Sequence, residues 1–247
     1  MKTHATALLL FLFSIVALQA QQSSFFIGAS GGGNLSKFKY SEDLAELYPS
    51  TSSVFGLNGG AILGFEIQNF TISSGIQYIQ KGGEYRTDNF EDESGTGYFT
   101  GREKLHYLSI PVLVGYRKYL TDNFALSFTL GPSFNVGLKG KLDEETQYYG
   151  TDETEVQNYT ISFGNGLNDD YRATQIGFQV SPGLVFAINN NSKLTFNVTW
   201  DSGTKDAFNP RYKDANDFFD TFKGEQRNKS TIFSVGYEYH FKFGDRY

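Results

Sequence analysis

From Phe124 to Leu138 the chain alternates without a break. Phe124, Leu126, Phe128, Leu130, Pro132, Phe134, Val136 and Leu138 fall on one face, and Ala125, Ser127, Thr129, Gly131, Ser133, Asn135 and Gly137 on the other. A period of two is the strand period, with one bulky apolar face and one small, mostly polar face. What such a chain folds into depends on which face meets solvent, and on whether that solvent is water.

The pattern recurs. Strands are expected near 24–34, 53–67, 70–81, 104–117, 124–139, 172–188, 193–202 and 230–243, eight in all. Phe55, Leu57, Leu63 and Phe65 oppose Gly56, Asn58, Gly64 and Glu66; Phe233, Val235, Tyr237, Tyr239 and Phe241 oppose Ser234, Gly236, Glu238, His240 and Lys242. The connections alternate between two kinds. Residues 68–69, 121–123 and 189–191 are tight Asn- and Asp-type turns. Segments 35–52, 82–103, 140–171 and 203–229 are long and polar, with room to extend the strands as hairpins. Eight bulky faces overfill the interior of a small barrel, whereas Gly, Ser, Thr, Asn and Gln fit it. The bulky faces therefore point outward, which is stable only against lipid, where ring closure satisfies every backbone donor and acceptor. The expectation is an all-β, eight-stranded, antiparallel up-and-down transmembrane β-barrel with short periplasmic turns and long extracellular loops. It places a monomeric barrel in the outer membrane with lipid as its immediate partner. Tyr78, Tyr107, Tyr116, Tyr119, Tyr237 and Tyr239 are expected in aromatic girdles. A soluble, lipocalin-like carrier is the competing reading and turns the bulky face inward.

Lys2 followed by the apolar run Ala5 to Leu18 reads as a cleaved secretory signal peptide over residues 1–20, leaving 21–247 as the barrel domain. The run is shorter than the roughly 18–20 residues a spanning helix needs. The chain has no cysteine, hence no disulfide framework, no thiolate metal site and no lipid-modified N-terminal Cys. Its net charge of −6 disfavours nucleic acid as a partner.

The stretch "KLHYLSIPVLVGYRKYL…FALSFTLGPSFNVGL" resembles the PorT-like outer-membrane barrels typical of Bacteroidetes, small barrels of the eight-stranded OmpX/OmpA type. The Tyr-Leu-x-Ile-Pro-x-Leu strand is Tyr107, Leu108, Ile110, Pro111 and Leu113, and the following Gly-Pro is Gly131 and Pro132. "FTISSGIQYIQKGGEY" (70–85) is similar to the family's preceding strand. The resemblance implies an outer-membrane location and, since the family takes its name from such a member, an accessory place in a protein-secretion system as a rival role.

No constellation for catalysis emerges. Beyond the leader, His106 and His240 are the two histidines, and the topology puts them at opposite ends of the barrel. "GASGGG" (28–33) is not followed by a helical pattern and reads as a small-residue strand, not a phosphate loop. The reading is a non-enzymatic barrel with no cofactor and no metal, with a structural or loop-mediated binding role. An accessory secretion component and a narrow porin-like channel are the alternatives. Glu66, Arg117, Glu238, His240 and Lys242 share the inward parity near the periplasmic end, as a self-neutralising plug or, alternatively, a charged gate. Segment 140–171 carries eight acids against Lys141, and 82–103 six against Arg86 and Arg102. No spacing matches a calcium loop, so these read as solvated acidic surfaces. Phe208, Arg211, Tyr212, Phe218, Phe219 and Phe222 make the fourth long segment the candidate surface for a protein partner.

Overall fold

A computed structural model describes residues 23–92, 95–150, 154–211 and 224–243. The expected leader, residues 1–20, lies outside them, as do Tyr212, Phe218, Phe219 and Phe222. The elements run β1 (Ser23–Tyr40), α1 (Glu42–Leu47), β2 (Ser50–Ser52), β3 (Val54–Ile67), β4 (Phe70–Asp92), β5 (Gly95–Thr121), β6 (Phe124–Tyr148), β7 (Thr154–Ile161), β8 (Phe163–Gly164), β9 (Tyr171–Arg172), β10 (Thr174–Ala187), β11 (Ser192–Gly203) and β12 (Gln226–Phe243).

Eight strands close a ring in the order β10, β11, β12, β1, β3, β4, β5, β6, and β6 pairs back onto β10. The closing seam runs from Val136 opposite Thr174 to Phe124 opposite Phe186. All eight neighbouring pairs are antiparallel. The ring abolishes the free edges that an open sheet would leave unpaired. β2 adds to the upper part of β4, and β7 to the upper part of β6.

The bulky faces point outward. Phe55 is 66 % exposed, Ile72 56 % and Leu138 52 %, whereas the inward Asn34, Ser133 and Gln179 are 1 %, 0 % and 3 % exposed. On β1 the outward positions from Phe25 to Leu35 carry no charge, and the run matches the 9–11 tilted residues that cross a bilayer. Small residues let the wall close tightly. At Gly32 an added Cβ would meet the Phe233 carbonyl oxygen of the neighbouring strand at a distance real atoms do not show.

Two of the four segments read as long loops, 82–103 and 140–171, are largely strand, and 35–52 is half strand. β1 continues to Tyr40, β4 and β5 form a hairpin reaching Asp92 and Gly95, and β6 continues to Tyr148. Polarity marks where the chain leaves lipid, and pairing continues beyond that level. Two girdle assignments are also corrected. Tyr107 is fully buried and points into the barrel, and Tyr119 turns its hydroxyl to Glu66. Both occupy odd positions of β5, on either side of the outward run Ile110, Val112, Val114 and Tyr116, with Tyr119 still 37 % exposed.

Candidate functional site: a lumen closed at three levels

The lowest level lies near the periplasmic turns. Arg117 on β5 donates one guanidinium nitrogen to Glu66 on β3 and another to Glu238 on β12, each at 2.7 Å. β5 and β12 stand on opposite sides of the ring, so this pair crosses the lumen. His240 Nε2 lies 3.0 Å from Glu238 and its Nδ1 2.9 Å from the Ser24 hydroxyl. The imidazole stacks on Phe26, over which the Arg117 guanidinium also sits. Lys193 on β11 donates to Glu66 at 2.9 Å, and Tyr119 donates to the same carboxylate. Two cations, Arg117 and Lys193, thus answer two carboxylates, Glu66 and Glu238.

Four of the five residues expected in this cluster are brought together. Lys242 is not among them. Its side chain is exposed and lines a vestibule of about 540 Å³ below the cluster, because β12 has by then run past the end of the lumen. Lys193 and Tyr119 belong to the cluster and were not singled out from the sequence. Their inward parity was the available signal, but each sits one turn from a strand end, where parity is easily discounted.

Above the cluster is a cavity of about 100 Å³ lined by hydroxyl and amide side chains such as Ser30, Asn58, Thr71, Gln77, Ser127 and Thr199. Its roof is the second level. Lys81 on β4 reaches Asp201 on the facing strand β11 at 3.1 Å, and Gln179 donates to the same carboxylate at 3.0 Å. Lys81 and Asp201 are both buried. Each is inward by parity, yet sequence reading ended its strand there and assigned neither a partner.

The third level is an aromatic lid. β8 and β9 pair in parallel over the barrel mouth. Tyr107, Phe163, Tyr171 and Phe208 stack in series, with successive centroids 5.3, 5.7 and 5.3 Å apart. Leu105, Ile161, Ala207 and Ile232 complete this core. Polar bonds knit the lid to the wall: Gln175 and Asn228 donate to the Tyr107 hydroxyl at 3.0 and 3.3 Å, and Asn209 donates to the Gly166 and Asp169 carbonyls. Phe208 is half-buried in the lid against Tyr171. Arg211 is exposed.

Glu103 lies within the lid, above the membrane-crossing part of β5, and accepts a hydrogen bond from Tyr171. Burial pushes its carboxyl up to about 7, against the hydrogen bonds from Tyr171 and Gln226, and the Asp170 and Glu144 carboxylates push the same way. Nearby Tyr40, Tyr48 and Tyr85 are raised in turn, first by burial and then by the Glu103 charge.

The two histidines are far apart in role. His240 is in the lumen, whereas His106 is on the outer face of β5 with Tyr78 on it at 2.5 Å. Among the described residues no group of three or more His, Asp and Glu side chains is arranged to hold a metal ion.

A closed antiparallel ring with lipid-facing side chains outside and a polar lumen defines an integral barrel of the outer membrane. Residues 19–209 match the family model described as outer membrane protein beta-barrel domain, and the chain belongs to that family. Among solved structures it is similar to the Neisserial surface protein A, at 15 % identity over 90 % of this chain and 99 % of that one, with a TM-score of 0.43. It is also similar to the attachment invasion locus protein Ail of Yersinia pestis (14 %, 89 % and 99 %, 0.31). A third is the outer membrane protease OmpT of Escherichia coli (11 %, 89 % and 96 %, 0.34). None of these likenesses bears on activity. No curated protein sequence matches.

Proposed function

We propose that this protein is a closed, non-enzymatic outer-membrane barrel of the PorT-like kind, delivered by a cleaved signal peptide. Its work is done outside the lipid by the hairpins and lid that the barrel carries. The single observation that supports this most is the three-level closure of the lumen: Arg117 with Glu66 and Glu238, Lys81 with Asp201, and the stack from Tyr107 to Phe208. A conducting pore needs a continuous aqueous path, and these side chains occupy it. The separation of His106 from His240 and the lack of cysteine speak against acid–base and thiol catalysis.

The second reading, an accessory component of a protein-secretion system, is favoured by one observation. The Tyr-Leu-x-Ile-Pro-x-Leu strand of the resembled family forms the heart of β5, and that strand continues outward into the hairpin with β4. Mild-detergent extraction of the tagged protein from its own outer membrane, with mass spectrometry of what accompanies it, separates the readings. A near-equimolar partner supports the secretion reading; a barrel recovered alone supports the stand-alone role. Recovery of folded protein from the soluble fraction would overturn both.

A further inference from the structure

The strand register contains an arrangement that the barrel itself does not need. On the outer face of β1 and β12, Lys37 stands directly opposite Lys229, and Lys39 opposite Arg227. On β5 and β6, across the ring, Lys104 stands opposite Lys141, and His106 opposite Lys139. Three of these pairs thus set cation against cation, and Lys139 faces a histidine that burial and the neighbouring lysines keep neutral; of the seven Lys and Arg residues involved, Arg227 and Lys141 also have an acid on their own strand, Glu225 and Asp143. Like charges directly opposite on a sheet are destabilising.

The arrangement begins just above the membrane-facing run and spans two successive outward positions on each side. On β1, Lys37 is the first outward residue after Leu35, the last apolar residue of the membrane-facing run. On β6, Lys139 follows Leu138, where the register shifts by one residue. One outward position higher on β5 the habit reverses: Arg102 faces Asp143 on β6 and makes an ion pair with Glu84 on β4. Opposite-sign neighbours are thus available to this hairpin one position above the like-charged pairs. Among the described residues Lys37, Lys39, Lys104, Lys139 and Lys229 make no ion pair. Each cluster opens on a groove. One, of about 450 Å³, runs from Lys37 and Lys229 down to Leu35 and Trp200; the other, of about 350 Å³, lies between His106, Lys139 and Tyr159.

We propose that these two clusters bind the phosphorylated headgroups of outer-leaflet lipid. The height is that of the lipid headgroups, the groove at Lys37 and Lys229 joins a cationic rim to the apolar Leu35 and Trp200, and an anion between facing lysines turns repulsion into attraction. Phosphate is the fitting chemistry because several donors on neighbouring strands converge on one multiply charged acceptor, and a nearby apolar floor suits the acyl portion. This goes beyond the structural role proposed above and requires only that the barrel sits in the membrane with its hairpins outside.

The test compares thermal unfolding of the full-length protein in phosphatidylcholine vesicles with and without diphosphorylated lipid A, beside the same glycolipid stripped of its phosphates. Two variants accompany the wild type: Lys37→Gln with Lys229→Gln, and Lys104→Gln with Lys139→Gln. The wild type should gain about 2–4 °C with the phosphorylated lipid, and nothing with the stripped one. Each variant should be as stable as the wild type or more so in phosphatidylcholine alone, and should lose part of the gain. Equal midpoints for the two glycolipids would overturn the proposal, as would variants that keep the full gain. An equal gain from inorganic phosphate added to phosphatidylcholine vesicles would also overturn it, because the site would then read a free anion and not a lipid.

Discussion

At the scale of single residues, two of the buried charge centres, Arg117 and Glu103, make opposite demands. Arg117 is held by two carboxylates across the lumen, and removing it leaves Glu66 and Glu238 close together without their shared cation. Breaking a buried pair from one side costs about 3–5 kcal/mol. Arg117→Ala should lower the unfolding free energy in detergent by that order. A triple variant, Arg117→Met with Glu66→Gln and Glu238→Gln, should lose less than Arg117→Ala alone. Glu103 behaves the other way. Its folded carboxyl sits at about 7, above its ordinary 4.5, so between these values the folded state holds the proton more tightly than the unfolded one. The Glu103 contribution to stability therefore declines as pH rises from 4.5 to 7 and levels off above. Glu103→Gln should flatten that slope and exceed the wild type at pH 8 by up to about 3 kcal/mol. Denaturant titrations at pH 5 and 8 measure both.

At the scale of elements, alternation made the strands legible and polarity did not mark their ends. The outward face of β6 reads apolar from Phe124 to Leu138 and then turns to Lys139 and Lys141, yet the ladder with β5 persists to Tyr148. Sequence polarity reports the solvent of a segment, while pairing depends on a partner strand that lies elsewhere in the chain. The lid was illegible for a related reason. Phe163, Tyr171 and Phe208 have no periodicity and are brought together by long-range contacts, so the packing of Phe208, read as a candidate binding residue, on Tyr171 was not foreseen. Parity gave Glu66, Arg117, Glu238 and His240 correctly as lumen neighbours, and it would have given Lys81, Lys193 and Asp201 had it been followed to the strand ends. The lid has a defined weak point. A Cβ at Gly137 would intrude on the Phe163 ring, so Gly137→Val should displace Phe163 from Tyr107 while the ring of β1 to β12 stays closed. Near-ultraviolet circular dichroism should weaken, with the far-ultraviolet strand signal retained.

At the scale of the whole molecule, the strand pattern settled which way the chain is turned. Apolar side chains face outward because eight such faces do not fit inside a ring of eight strands, and small polar residues inside leave room for ion pairs that cross the lumen. The same logic links the fold to the proposed role: with the interior filled by Arg117, Glu66, Glu238, Lys81 and Asp201, the proposal places function on the outer surface and the hairpins. Closure is the central claim, and the direct measurement is electrical. The purified protein, reconstituted in a planar lipid bilayer, should insert and leave the current at the level of the bare membrane across the applied voltage range. Discrete, reproducible conductance steps from the wild-type barrel would contradict the account, because they would require an open path past Arg117, Lys81 and the aromatic lid.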